Sequence, residues 1–222
     1  LNIEGYVKFF DQLTTLNRNK IYDDRDPDYA DEPDYLKKDM VIEKGHAEGI
    51  DISFKYDFKS INIWAVYSLG FITRQEDLNG FIFTYTPHYD RRHNVNLVGS
   101  ILLGDKKLTE LSIRWNYGSG FPFTPTAGFY EVINFGEGIN TDYITQNGEL
   151  GYYYGDVNSK RLPDYHRLDL SVKRSINFTG KSTMDLIFSI TNIYSRDNIF
   201  YFDRISYERV DQLPFLPSFG IK

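Results

Sequence analysis

Cysteine is absent from the 222 residues, which removes disulfides, thiolate chemistry and Cys-ligated zinc from consideration. No run approaches the roughly 20 apolar residues that a membrane-spanning helix requires. A basic excess is missing too: 25 Lys and Arg stand against 31 Asp and Glu, and a net charge of −6 argues against a nucleic-acid surface. No Ser-His-Asp order, phosphate-cradling loop or dinucleotide fingerprint occurs, and nothing marks a nucleophile beside a base, so the chain reads as a non-enzyme. No stretch has the periodicity of a convincing helix.

Aromatic residues are what the chain has in excess. Its 18 Tyr and 17 Phe bring the aromatic share to 17%, and such residues favour strands and membrane interfaces. A hydrophobic share of 41% and a mean hydropathy of −0.44 are those of an ordinary soluble protein. They are equally compatible with a membrane β-barrel, in which only every second strand residue faces lipid.

Alternation is the main pattern. From His46 to Phe58 the even positions include Ile50, Ile52, Phe54, Tyr56 and Phe58, while the odd ones include Gly49, Asp51, Ser53, Lys55 and Asp57. A strand sorts these residues onto two faces; a helix would scatter them. Ile61–Phe71 repeats the pattern less purely, because Trp64 and Val66 interrupt its polar set. Asn94–Ile101, Glu110–Tyr117, Arg167–Lys173 and Met184–Thr191 follow, and strands near Ile3–Phe10 and Pro214–Lys222 bring the expectation to about eight.

Three connections read as tight, around Asp57–Ser60, Gly104–Lys107 and Thr179–Ser182. Four read as long: Asn17–Glu43, Arg74–Arg92, Ser119–Asp164 and Ser195–Leu213. Short and long alternate strictly, as in transmembrane barrels with short periplasmic turns and long extracellular loops; structureless loops of such length are rare inside compact soluble domains. The expected fold class is therefore all-β, an antiparallel transmembrane β-barrel in the bacterial outer membrane. Its long loops would be extracellular, its tight turns and C-terminus periplasmic. Single-strand patterns leave two rivals open. One is a self-contained eight-stranded outer-membrane structural or adhesive protein; the other is a soluble lipocalin-like barrel with its apolar faces turned inward.

Several segments resemble motifs of Bacteroidetes-type TonB-dependent outer-membrane receptors. They are Tyr89-Asp90-Arg91-Arg92-His93-Asn94-Val95, Leu162-Pro163-Asp164-Tyr165-His166-Arg167-Leu168, Tyr117-Gly118-Ser119-Gly120-Phe121-Pro122 and Thr191-Asn192-Ile193-Tyr194-Ser195-Arg196-Asp197-Asn198. The ending Leu213-Pro214-Phe215-Leu216-Pro217-Ser218-Phe219 is similar to that family's final strand. The motifs occur in the family's order from Gly45 onward. The resemblance implies that residues 1–222 are the C-terminal segment of a plugged 22-stranded barrel, with a plug domain and roughly fourteen strands lying elsewhere in a longer polypeptide. It also implies import of a scarce nutrient (siderophore, vitamin, glycan or peptide) with energy from the TonB complex, contacted through the N-terminal part. Lipid bilayer and lipopolysaccharide would surround the barrel. A surface lipoprotein partner belongs to the glycan-importing branch, and these motifs look closer to receptors without an obligatory one. Family chains usually end a few residues later on an aromatic residue; this one ends at Lys222.

Candidate site residues fall into three groups. Asp51, Lys55, Arg114, Asp169 and Lys173 occupy polar-face positions and are candidates for contact with substrate or plug. Asp90, Arg91, Arg92, His93, Asp164, His166 and Arg167 belong to the family motifs; there they anchor loops to strand tops, a reading favoured over a metal or acid–base site at His88, Asp90 and His93. Asp24, Asp26 and Asp28 alternate as in a calcium loop, but the glycine turn and the distal Glu are missing, so a solvated acidic loop is the plainer reading and no other cofactor is expected. The run Tyr152-Tyr153-Tyr154 suits either loop packing, an interfacial girdle or stacking on a ring-bearing ligand.

Overall fold

The computed structural model describes residues 1–132, 149–179, 182–203 and 208–222. Its first strands in chain order are β1 (Asn2–Leu16), β2 (Met40–Phe58), β3 (Ile61–Leu78), β4 (Phe81–Tyr85), β5 (His93–Leu103) and β6 (Thr109–Gly118). The short strands β7 (Pro122–Phe123), β8 (Thr126–Val132), β9 (Glu149–Tyr154) and β10 (Lys160–Arg161) follow. The chain continues through β11 (Tyr165–Thr179), β12 (Ser182–Thr191), β13 (Ile199–Phe202), β14 (Arg209–Asp211) and β15 (Leu216–Ile221).

The architecture is all-β and antiparallel. Strands β1, β2, β3, β5, β6, β11, β12 and β15 are hydrogen-bonded neighbours in that order, and β4 pairs with the far end of β3. Tight turns form where the backbone can turn left-handed: Lys59 (φ 55°) between β2 and β3, and Gly104 (φ 81°) with Lys107 (φ 51°) between β5 and β6. Gly180 and Lys181, in the third expected tight turn, lie outside the described residues. Among the described residues helix is confined to a 3-10 turn at Pro27–Tyr29 and one turn, α1, at Asp34–Lys37.

Two expectations need correction. The strands overrun their apolar cores at the long-connection end: β2 begins at Met40 rather than His46, and β3 runs to Leu78 rather than Phe71. Those extensions are held by charged pairs rather than by apolar alternation, so the periodicity is silent there. The long connections are also not structureless. Asn79 (φ 55°) and Gly80 (φ 93°) turn β3 back into β4, and the later connections contain the pairs β7–β10, β8–β9 and β13–β14. Among the described residues the eight strands form no closed barrel: β1 pairs with β2 and β15 with β12, and both edges are open. The edges are unequal, 15 residues against 6, so joining them would leave most of β1 without a ladder.

The register sorts the sheet into two continuous faces. On one, Phe54 stands beside Ala65, Ala65 beside Leu97, Leu97 beside Trp115 and Trp115 beside Leu168. Farther along, Val172, Phe188 and Phe219 align. The other face is polar. Ser100, Ser112, Ser171, Ser189 and Ser218 form an unbroken row over five strands, with the Ser189 hydroxyl 3.1 Å from that of Ser171. Aromatic side chains stand among the aliphatic ones of the apolar face and toward both of its borders. Phe9 stacks on His46 and Tyr67 on His93 toward the long connections, while Tyr56 and Phe58 lie toward the tight turns.

Almost nothing is buried between layers. The accessible surface is 15890 Å², whereas a compact chain of this mass exposes about 10,500 Å². Among the described residues the buried hydrophobic core reduces to Ala47 and Tyr85, while Ile3, Phe54, Phe58, Phe188 and Phe219 are exposed. No helix among them is long and apolar enough to cross a membrane, which leaves crossing by strands untouched.

Candidate functional site: the long-connection rim

Where β2 and β3 overrun, the buried side chains are charged: Glu43, Arg74 and Glu76. Glu43 follows the alternation of the polar face, opposite Leu13, and is 1% exposed. Both its carboxylate oxygens accept from the Tyr85 hydroxyl at 2.9 Å; Arg74 Nε lies 3.0 Å away and Arg18 at 3.4 Å. Arg18 also donates to Glu76 at 3.0 Å and lies over the Tyr85 ring at 4.1 Å. Asn19 donates to the other Glu76 oxygen at 3.0 Å. Two carboxylates thus face two guanidiniums, an arrangement in which each buried charge has several partners. Burial works against the Arg18 charge, but its hydrogen bonds to Tyr85 and Glu76 prevail and hold its pKa above the ordinary value. Burial pushes the Tyr85 hydroxyl up as well.

A cavity of about 590 Å³ opens over this cluster, lined by Arg18, Asn19, Glu76, Phe83, Thr124 and Tyr154. That volume lies within the range of small-molecule sites. A second, about 460 Å³, shares Phe83 and Val157 with it and reaches Arg92 and Arg161. A third, about 360 Å³, is mainly aromatic, with Phe123, Phe200, Tyr201 and Phe202 in its wall.

Asp90 is the second buried anchor, 1% exposed. Its carboxylate accepts the Ile72 N–H at 3.0 Å and pairs with the Arg161 guanidinium, with Arg92 at 3.8 Å. Arg161 also bonds the carbonyls of Asp90 and Gly120, both at 3.0 Å, tying the 119–164 connection to the top of β3. His93 accepts or donates through Nδ1 to the Tyr67 hydroxyl at 3.0 Å, and His88 packs edge-on against Tyr89. Asp164 takes the Tyr117 hydroxyl at 2.7 Å and the Gly120 N–H at 3.1 Å. A Cβ on Gly120 would stand 1.5 Å from the Leu162 carbonyl oxygen, so the close approach there requires glycine. His166 is held through its backbone, bonded on both sides by the Asn198 amide, and Arg167 pairs with Asp169 at 3.0 Å.

Arg91 differs from its neighbours. Its guanidinium lies over the Phe121 ring at 4.1 Å and near Tyr165 at 5.8 Å, filling the space that Gly118 leaves open. Its Nε is shielded from solvent without an acceptor, and burial pulls its pKa below the ordinary value.

The five polar-face candidates do share one face. Asp51 stands opposite Ser68, and Lys55 pairs with Asp57 at 3.3 Å. Arg114 stands opposite Asp169, and Lys173 pairs with Glu110 at 2.6 Å. Asp24, Asp26 and Asp28 are not brought together: Asp26 caps the 3-10 turn by accepting the Asp28 N–H at 3.0 Å. Among the described residues no group of three or more carboxylates and histidines forms a metal centre. Tyr152, Tyr153 and Tyr154 sit on the β8–β9 hairpin rather than in the eight-strand sheet, Tyr152 edge-on to Phe129 and stacked on Tyr154.

No protein-family model and no curated protein matches the chain.

Two important residues, Glu43 and Arg74, escaped the reading of motifs, and Asn192 and Asn198 lay inside one without being given a role. Asn192 is fully buried at φ 54°, bonds the carbonyls of Arg196 and Leu213, and accepts the Arg196 N–H. An Asn after the last alternating residue of a strand is a usable sign of such a left-handed turn. For Glu43 and Arg74 no local sign exists.

Proposed function

We propose that this chain is part of a transmembrane β-barrel of the bacterial outer membrane, of the TonB-dependent receptor type, importing a scarce nutrient. The observation that carries this reading is the continuous apolar face: it crosses eight strands, is half-buried or exposed rather than buried under a second layer, and has aromatic side chains toward both of its borders. Water does not tolerate such a face, whereas a bilayer covers it and places Tyr and Trp at its interfaces. The polar face then turns to the lumen, and the rim cavities lie at the extracellular mouth, where a ligand is first met. Capture there is followed by passage through the barrel when TonB-driven movement of a plug opens it. The unequal open edges favour a larger barrel over a self-closed one of eight strands, since further strands would pair with β1 along its full length.

The test is the protein in its native membrane. Extraction that requires detergent, heat-modifiable migration, and an intact mass several times 26.0 kDa with plug peptides upstream of Leu1 support the reading. A detergent-independent protein with a mass near 26.0 kDa removes it.

A further inference from the structure

The polar face is unevenly charged. From the rim downward, β6 and β11 place Gly118 beside Tyr165, Asn116 beside Arg167, Arg114 beside Asp169, Ser112 beside Ser171, and Glu110 beside Lys173. Arg91 lies over the first of these rungs, its guanidinium against Gly118. Four cations thus follow one strand pair, with successive rungs about 6.6–6.8 Å apart.

The carboxylates among them are already engaged. Asp169 accepts from Arg167 at 3.0 Å and from the Asn192 N–H at 3.0 Å, and Glu110 takes Lys173 at 2.6 Å. Arg114 stands opposite Asp169 without an ion pair, and Arg91 has neither an ion pair nor a hydrogen-bond acceptor among the described residues. Across β1–β3 the same face carries Glu4, Glu43, Asp51, Asp57 and Glu76 against Lys8, Lys55 and Arg74. Two guanidiniums without a carboxylate partner thus meet at this strand pair: Arg114 in β6, and Arg91, which reaches over Gly118 from the β4–β5 connection.

We propose that this strand pair is a track for an anionic solute bearing carboxylate or phosphate groups, received by Arg91 at the rim and passed toward Arg114. The proposal rests on the import reading and narrows its substrate class. A guanidinium held over an aromatic ring, with its Nε shielded from water, presents its remaining N–H groups in a restricted orientation, which matches a planar oxyanion. Arg114 lies two rungs below, about 13 Å along the strands, so a single small anion meets the two in succession. The rung between them carries Arg167, which is paired with Asp169, so no unpaired negative charge stands in the path.

The test uses the full-length protein in detergent at low ionic strength, titrated separately with citrate and inorganic phosphate, with glucose as the uncharged control. Saturable citrate or phosphate binding that weakens with salt is expected, with no binding of glucose. Arg91→Gln should weaken it at least tenfold and Arg114→Gln severalfold. Arg91→Lys, which keeps the charge but loses the planar fork, should fall between, and Arg25→Gln in the acidic loop should match the unaltered protein. Absence of anion binding in folded protein, or binding indifferent to both substitutions, overturns the proposal; dependence on Arg91 alone reduces the track to a rim contact and overturns it too. Failure of the membrane reading looks different, because the protein would then stay soluble without detergent whatever it binds.

Discussion

The two rims of the sheet are built on opposite plans. At the tight-turn rim the chain reverses on Lys59, Gly104 and Lys107, and its charges are wet: Lys55 and Asp57 pair at 3.3 Å with both side chains more than half exposed. At the long-connection rim Glu43, Asp90 and Asn192 are all but removed from solvent, each with several partners. A short turn needs only a permissive backbone. A long connection must be tied down at a few points, and a buried carboxylate or amide does so because each oxygen left unpaired there is costly. The contrast places the rigid framework of this molecule around the rim cavities, away from the turns.

The strongest way to break the contrast is Glu43→Ala. It leaves Arg74 and Arg18 facing each other without their shared anion, and about 3–5 kcal/mol of rim stability should be lost. Proteolysis should then cut within residues 17–39 and 119–164 while the tight turns stay resistant; equal cutting at both rims would contradict the plan. Asn192→Ala comes next, at about 2–3 kcal/mol for the carbonyls and N–H left unpaired. Hydrogen exchange should rise at Arg196, whose N–H the Asn192 side chain accepts, before it rises anywhere in β11. Alkali should act third. Tyr85 has its pKa raised in the folded state, so its contribution is complete below its ordinary value of 10.0 and fades as pH climbs through the folded pKa. Rim opening, followed by the same proteolysis, should begin above that pH and disappear in Tyr85→Phe. The least effect belongs to Lys55→Ala: an exposed pair is worth about 0–1 kcal/mol, and thermal unfolding in detergent should barely move.

Much of the eight-strand sheet was legible because one face of each strand repeats every second residue, from Ile50 and Ile52 in β2 to Phe219 and Ile221 in β15. The rim was not. Glu43 meets Arg74 only because β2 and β3 pair beyond their apolar stretches, and Arg18 reaches both carboxylates from another connection. Nothing local in the sequence encodes a meeting of residues so far apart. The Asn79-Gly80 hairpin was a different kind of omission: that dipeptide is among the clearest turn signals, and it lay between Leu78 and Phe81. The motif residues Asp90 and Asp164 stood out as loop anchors, but the lack of a partner for Arg91 is a fact of three-dimensional placement alone.

The serine row has a mechanical consequence. Rolling a sheet toward its polar face brings the side chains on that face closer together while spreading those outside. Ser100, Ser112, Ser171, Ser189 and Ser218 keep that inner surface thin at one height, so the sheet can curl there before its side chains collide. The bulky apolar residues ride on the convex side, where curvature only gives them more room. A sheet rolled toward that face would be thinnest on its inner side along the line of those five hydroxyls.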